Sequence, residues 1–143
     1  MEFEKYTERA RGFIQNAQTL ALKSNHQQLT PLHLLKVILE DREGLGTSLI
    51  DAAGGQSAKA YEAVGAALHK LPKVEGGGAG QVYLAPETAR LLDQAEQSAE
   101  KAGDSFVTVE YLLLALAMAS GTEAQKVLGD AGVKPQNLNA AIN

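Results

Sequence analysis

"LTPLHLLKVILED" occupies residues 29–41, and "VTVEYLLLALAMA" occupies residues 107–119. Each stretch opens with an apolar residue and a threonine, then runs through a Leu-Leu pair into an almost unbroken apolar segment. A threonine in this place is typical of a helix N-cap, and Pro31 fits a first helical position because its missing N–H needs no partner there. Both stretches therefore predict a helix that is buried on nearly all sides.

The two halves of the chain repeat each other. A shift of 78 residues aligns them without a gap, and the identities fall at helix caps, buried positions and helix stops. The matched pairs are Ala17 with Ala95, Ala21 with Ala99, Lys23 with Lys101, Thr30 with Thr108, Leu34-Leu35 with Leu112-Leu113, and Ala53-Gly54 with Ala131-Gly132. Two units are too few for an open solenoid, which needs three or more. We therefore predict an all-α fold of about eight helices in two pseudo-two-fold repeats of a four-helix unit, each half burying the other's apolar face.

Helical spacing of apolar residues, together with Thr, Pro and Gly punctuation, gives approximate helix bounds. The first half predicts helices at 7–24, 31–41, 46–53 and 57–71. The second half predicts helices at 86–102, after Thr108, up to Gly132 and over 134–143. The Pro- and Gly-rich stretch between the halves predicts a flexible linker. One domain over 1–143 is expected, with repeat one at 3–71, the linker at 72–84 and repeat two at 85–143.

Composition excludes several classes of protein. The 143 residues carry a formal net charge of −4 and no cluster of Lys and Arg, which argues against a nucleic-acid partner. The absence of cysteine excludes disulfides and thiolate metal sites. The longest apolar run, 111–119, is far shorter than the ~20 residues of a membrane span, so no membrane partner is expected. The amino-terminal residues lack the apolar core of a secretory signal, and we expect a cytoplasmic domain.

No pattern predicts catalysis, a metal or a cofactor. His26, His33 and His69 are the three histidines, and none has the spacing of a known metal motif. His33 corresponds to Tyr111 in the second half, which indicates a packing position. No G-x-S-x-G elbow is present, and "EGGGAG" at 75–80 lacks the G-K-[ST] ending of a phosphate-binding loop.

Candidate binding residues lie in the second half. Tyr111 is an amphipathic aromatic residue at the start of a buried helix, with Asp104 and Glu110 beside it. Leu91 and Leu92 are adjacent, so we expect that both cannot face the same core. Structural roles explain the polar residues equally well: Glu110 suits the positive end of a helix dipole, and Asp is common in turns. Thr7 is similarly a good N-cap for the first helix.

"TPLHLLKVILED", "LPKVEGGGAGQVYLAPE" and "GDSFVTVEYLLLALA" together resemble the N-terminal (Clp repeat) domain of ClpB-type AAA+ disaggregase chaperones. The resemblance covers essentially the whole chain, and its linker motif is more specific than its helix motifs. It implies eight helices, no catalysis and no cofactor in this domain, with ATP bound by AAA+ modules outside these residues. It also implies that the domain is monomeric when isolated and lies on a hexameric ring. There it would engage exposed apolar segments of unfolded or aggregated polypeptides before they are threaded through the ring.

The same resemblance implies site residues. Thr7, Asp104 and Glu110 match polar residues associated with substrate binding in the family, and Leu92 and Tyr111 would belong to an apolar groove beside them. Many relatives carry leucine where this chain has Tyr111, so the groove here would be more polar. Two alternatives stay open. One is an adaptor-docking N-domain of a protease-partner Clp ATPase, and the other is an enzyme or metalloprotein on a helical scaffold.

Overall fold

The computed structural model describes residues 3–74 and 80–143. Within these ranges the chain forms eight α-helices, a short 3-10 helix at Phe3–Lys5 and two strands of two residues each. The helices are α1 (Glu8–Lys23), α2 (Pro31–Glu40), α3 (Leu45–Ala52), α4 (Ser57–His69), α5 (Pro86–Lys101), α6 (Val109–Met118), α7 (Glu123–Asp130) and α8 (Pro135–Ile142). The strands are β1 (Gln28–Leu29) and β2 (Tyr83–Leu84).

The first helix of each half ends in the same way. Asn25, with a φ of 59°, and Gly103, with a φ of 78°, adopt the left-handed conformation one residue beyond the helix C-cap. The next residue, His26 or Asp104, donates its N–H to a carbonyl five residues back. This Schellman arrangement satisfies carbonyls that the helix end leaves free. It places His26 and Asp104 at equivalent points, each just before the second helix of its repeat.

Short parallel pairings join the repeats reciprocally. β1 pairs with β2, with Leu29 opposite Leu84. Their images under the 78-residue shift, Val107 and Tyr6, form an isolated parallel bridge. In each repeat, the segment before the second helix therefore pairs with the segment before the first helix of the other repeat. This exchange is what a two-fold relation between the repeats requires.

The remaining helices also pack across the repeats. α4 lies against α7, and α3 lies against α8. Near the middle of this interface, a Cβ on Gly55 would lie 2.7 Å from a methyl carbon of Val133, the residue that corresponds to it in the second repeat. Leu35 of α2 and Leu113 of α6 occupy equivalent positions in the shared core, and neither side chain is exposed. Neither repeat has a complete core without the other.

The predicted all-α fold and its internal two-fold symmetry are confirmed, and the predicted helix bounds differ from the observed ones by at most two residues. The central part of the predicted linker, residues 75–79, lies outside the described residues, so its flexibility stays a prediction. The end of that stretch forms β2, which the sequence did not indicate because two residues are too few for a periodic pattern.

Candidate functional site

A polar edge is built from the segments that precede α1 and α6. Thr7 is the N-cap of α1, and its Oγ1 accepts a hydrogen bond of 3.1 Å from the N–H of Ala10. The N–H of Thr7 donates to the carbonyl of Val107 at 3.0 Å, and the N–H of Val107 donates to the carbonyl of Lys5 at 2.7 Å. Two backbone hydrogen bonds therefore fix Thr7 beside the segment that leads into α6.

Asp104 and Tyr111 are in direct contact. The Tyr111 hydroxyl donates a hydrogen bond to Oδ2 of Asp104, across seven residues of sequence. This hydrogen bond, together with burial of the phenol, raises the pKa of Tyr111 to about 12. The hydroxyl therefore stays a donor at neutral pH, and it holds the carboxylate of Asp104 in one place at the edge.

Glu110 lies in the first turn of α6, and its side chain is only half-buried. The positive end of the helix dipole favours a carboxylate there. Its negative charge also contributes to the raised pKa of Tyr111. The edge thus presents two carboxylates, from Asp104 and Glu110, on either side of the segment 105–109.

Phe106 is the functional candidate that sequence reasoning missed. It lies in the segment between the two carboxylates, and 51% of its surface is exposed. Phe3, at the start of the segment that pairs with this one, is 41% exposed. The motif "GDSF" contained the signal, because an aromatic residue in a polar turn has no obvious core to join. We name Thr7, Asp104, Phe106, Glu110 and Tyr111 the acidic edge.

A groove of about 680 Å³ lies next to the acidic edge, between α5, α6 and α8. The ring of Tyr111 forms part of its wall, together with Leu114 and Met118 from the same helix. The described residues that line it include no Asp or Glu side chain. The lining is rich in side-chain amides, from Gln94, Gln136, Asn139 and Asn143. Tyr111 is the member of the acidic edge that also belongs to this groove.

Leu92 does not join the other predicted site residues. Leu91 and Leu92 are 2% and 3% exposed, so the expectation that both could not face the core is wrong. α5 packs against α6 and also against α2, and these two neighbours bury a wide strip of its surface. Leu92 does not line the groove described above. Its part in substrate binding stays a prediction, one that would require its buried side chain to become accessible.

The corresponding edge of the first repeat has different chemistry. The 78-residue shift replaces Thr7 by Ala85, Asp104 by His26, Phe106 by Gln28, Glu110 by Leu32 and Tyr111 by His33. Ala85, Leu32 and His33 are all buried. The acidic edge therefore occurs once in the domain, although the scaffold that carries it occurs twice.

The described residues contain no cluster of three or more His, Cys, Asp or Glu side chains arranged to hold a metal ion. His33 is fully buried, and its ring nitrogens face Thr30 and His26. Among the described helices, none is both long enough and apolar enough to cross a membrane.

The sequence is similar to known proteins over its whole length. The profile of the Clp repeat (R) N-terminal domain matches residues 5–142. The chain is 64% identical to "Chaperone protein ClpB" of Rhodopseudomonas palustris and 54% identical to that of Rhizobium meliloti, over 143 residues in both cases. These matches cover 100% of this chain but only 16% of the relatives.

Solved structures share the architecture. The Hsp104 N-terminal domain from Candida albicans superimposes with a TM-score of 0.81 at 22% identity, covering 96% of this chain and 88% of that one. A complex of the ClpV N-domain with a VipB peptide gives a TM-score of 0.72 at 18% identity, covering 95% and 83%.

The duplicated helical fold is that of the Clp N-domains. The chain belongs to the Clp repeat (R) N-terminal domain family, and its similarity to ClpB-type chaperones extends from end to end.

Proposed function

We propose that this domain binds exposed apolar segments of unfolded or aggregated polypeptides at the acidic edge. In the full-length protein it would pass them to a hexameric AAA+ ring that binds ATP and threads them. The observation that supports this function is Phe106, an aromatic side chain half-exposed between two carboxylates on a hydrogen-bonded segment. An apolar anchor with a polar rim is the usual composition of a peptide-binding surface.

The two carboxylates beside Phe106 determine which client segments bind best. Asp104 and Glu110 are both acidic, so they repel acidic segments and attract lysine or arginine next to an apolar stretch. Client segments that alternate apolar and basic residues should bind best. The hydrogen bond from Tyr111 keeps the Asp104 carboxylate in place, so a client does not have to order it on binding.

Binding at a single edge should be weak. One aromatic anchor and two carboxylates have to offset the ordering entropy of a flexible client. We expect a Kd in the range of roughly 10 μM to 1 mM, about −7 to −4 kcal/mol. Six copies on a ring would act together and recover affinity through avidity. Weak individual sites also allow the client to leave for the central pore.

Docking of a folded adaptor is the second candidate function. The structurally similar ClpV N-domain has been solved in complex with a VipB peptide. A surface that recognises one defined partner should discriminate between sequences, because specificity needs contacts that exclude the wrong segment. A client-capturing surface should instead accept any segment of suitable charge and hydrophobicity.

Two matched peptides test the proposal. Both carry the same core of leucine and phenylalanine, one flanked by lysine and the other by glutamate, and a scrambled version of the lysine peptide is the third probe. Fluorescence anisotropy with the labelled peptides measures their binding to the domain. We expect the lysine peptide and its scrambled form to bind alike, and the glutamate peptide at least ~10-fold more weakly.

Variants locate the binding surface. Phe106→Ser should abolish binding of the lysine peptide, whereas Tyr83→Ser should not, although Tyr83 is equally exposed at 54%. Asp104→Asn with Glu110→Gln should remove the preference for lysine over glutamate. Equal binding of the lysine and glutamate peptides by the unmodified domain would refute the charge argument. Binding of the lysine peptide but not its scrambled form would favour the adaptor function.

A further inference from the structure

A buried pair of histidines lies between α1 and α2. His26 and His33 are 6% and 0% exposed, and Nδ1 of His26 is 2.8 Å from Nε2 of His33. Asp104 and Tyr111 make the same contact at the equivalent positions of the second repeat. In each repeat, a side-chain contact therefore links the two ends of the loop between the first and second helices. The side chains differ, and only the first repeat uses groups that ordinarily titrate near pH 6.5.

The backbone determines where the hydrogens of this pair lie. The N–H of Thr30 can only donate, and it is 3.0 Å from Nδ1 of His33, so this nitrogen is an acceptor. Neutral His33 then carries its hydrogen on Nε2 and donates it to Nδ1 of His26. The hydrogen of His26 must therefore be on Nε2, a buried atom with no partner among the described residues. We assign both rings as neutral Nε2–H tautomers.

The loop 24–30, whose two ends the histidine pair joins, is hydrogen-bonded to the residues on both sides of the connection between the repeats. Three of its carbonyls accept backbone hydrogen bonds from the residues on either side of that connection: Asn25 from Val74 (2.7 Å), Gln27 from Tyr83 (2.8 Å) and Leu29 from Ala85 (3.2 Å). A change in the conformation of this loop would release all three.

We propose that the His26–His33 pair is a proton-sensitive latch that fixes the loop 24–30 and, through it, both ends of the inter-repeat connection. Adding one proton necessarily breaks a hydrogen bond. A proton on Nδ1 of His33 points at the N–H of Thr30, and a proton on Nδ1 of His26 points at the Nε2–H of His33. Moving the hydrogen of His33 to Nδ1 turns it toward the Thr30 hydroxyl, 2.8 Å away, but displaces the hydrogen bond from the N–H of Thr30. No singly protonated arrangement therefore keeps both the His26–His33 bond and the bond from the N–H of Thr30.

The surroundings oppose protonation as well. Burial lowers the pKa of both rings, and it brings that of His33 to about 4. The ammonium group of Lys73 lowers the pKa of His26 further, and His26 lowers that of His33. A backbone hydrogen bond with Thr30 raises the pKa of His33, but by less than burial and His26 lower it.

Other charged groups near the pair have partners of their own or lie at the surface. A small cavity beside His26 is also lined by Lys36 and His69, while α1 and its C-cap contribute only Leu20 and Ser24 to it. The Lys36 ammonium is 3.6 Å from the carboxylate of Glu40, and His69 is exposed. None of the described residues lining the cavity is a carboxylate that would favour a charged imidazole.

Amide hydrogen exchange of the domain at pH 7 and pH 5 tests the latch. The pKa of His33 is about 4 while the loop is closed and ordinarily 6.5 when the loop is open. Lowering the pH from 7 to 5 therefore increases the fraction of molecules with an open loop by about 20-fold. After correction for intrinsic exchange, the protection of the Val74, Tyr83 and Ala85 amides should fall by that factor. The amide of Thr7 makes the bond that corresponds to that of Ala85 under the 78-residue shift. Together with the amide of Val107 it reports on the other junction between the repeats, and both amides provide an internal control that should change little.

Two variants separate the latch from a general effect of acid. His33→Gln keeps an acceptor for the N–H of Thr30 and a donor toward Nδ1 of His26, but it cannot titrate, so the loss of protection should shrink. His69→Gln removes the histidine outside the pair and should leave the loss of protection unchanged. Equal losses at the control amides, or a loss that His33→Gln does not reduce, would overturn the proposal.

Imidazole 15N shifts of the unmodified domain give a second test that needs no variant. The neutral Nε2–H form should persist in both rings at pH 6. Either ring titrating at its ordinary pKa would contradict the latch.

Discussion

Truncating Leu35 and Leu113, each in turn, tests whether the two repeats form one cooperative core. The residues are equivalent under the 78-residue shift, and both are fully buried. Leucine-to-alanine replacements at such sites cost about 3 kcal/mol, from lost burial and from the cavity left behind. For a domain of this size that corresponds to a fall in melting temperature of about 10 °C.

Interlocked repeats should make the two replacements indistinguishable. α3, α4, α7 and α8 contact across the repeats, so damage to either half removes support from the other. Calorimetry and urea unfolding should each show a single transition for Leu35→Ala and for Leu113→Ala, shifted by a similar amount. Leu22→Ala is the control, since Leu22 is 44% exposed and its truncation should cost less than about 0.5 kcal/mol.

Separate transitions would refute this reasoning. If Leu35→Ala shifted one unfolding step and left a second step at the position seen in the unmodified domain, the repeats would be independent units. The reciprocal pairing of β1 with β2 and of Tyr6 with Val107 would then contribute little to stability.

Three further predictions concern single features. Thr7→Ala should lower the free energy of unfolding by about 1 kcal/mol, because the N-cap hydrogen bond from the N–H of Ala10 is lost. Urea denaturation measures this difference, and an unchanged free energy of unfolding would contradict the capping role. Gly55→Ala should cost about 1–3 kcal/mol, since the new methyl group would lie 2.7 Å from Val133, whereas Gly129→Ala, with open space around it, should be neutral or stabilising in the same assay. The pKa of His33 is about 4 in the folded domain and ordinarily 6.5, so the unfolded chain binds more protons between these values. Stability should therefore be complete above about pH 7 and fall by about 3 kcal/mol as the pH drops to 4; a free energy of unfolding that does not change over this range would contradict the buried neutral state of His33.

Sequence reasoning succeeded where the signal was periodic or repeated. The apolar runs after Thr30 and Thr108 each predicted a buried helix. The gapless shift of 78 residues predicted that the two halves pack as a closed two-fold arrangement. The reciprocal strand pairs could not be predicted in the same way, because their position depends on how the repeats pack.

The site was predicted less completely than the fold. Asp104, Glu110 and Tyr111 were found because they flank a recognisable helix start, and the structure places them together with Thr7. Leu92 was expected in an apolar groove on the strength of the family resemblance, and adjacency predicted that Leu91 and Leu92 could not both face the core. Both are buried, because α5 is covered on more than one side.

Two features depended on contacts that a sequence does not display. Phe106 was overlooked, because the exposure of its side chain depends on which other segments pack against it in the folded domain. The hydrogen bond between Tyr111 and Asp104 links residues seven apart, and it depends on how the turn before α6 folds back on the first turn of that helix.

Capture at the acidic edge is tested by following backbone amide NMR shifts of the labelled domain during titration with a permanently unfolded polypeptide rich in leucine and lysine. We predict saturable shifts centred on Thr7, Asp104, Phe106 and Glu110, which disappear in Phe106→Ser while the rest of the spectrum is unchanged. Shifts centred instead on the amide-rimmed groove between α5, α6 and α8, or no localised shifts at millimolar polypeptide, would contradict capture at the acidic edge.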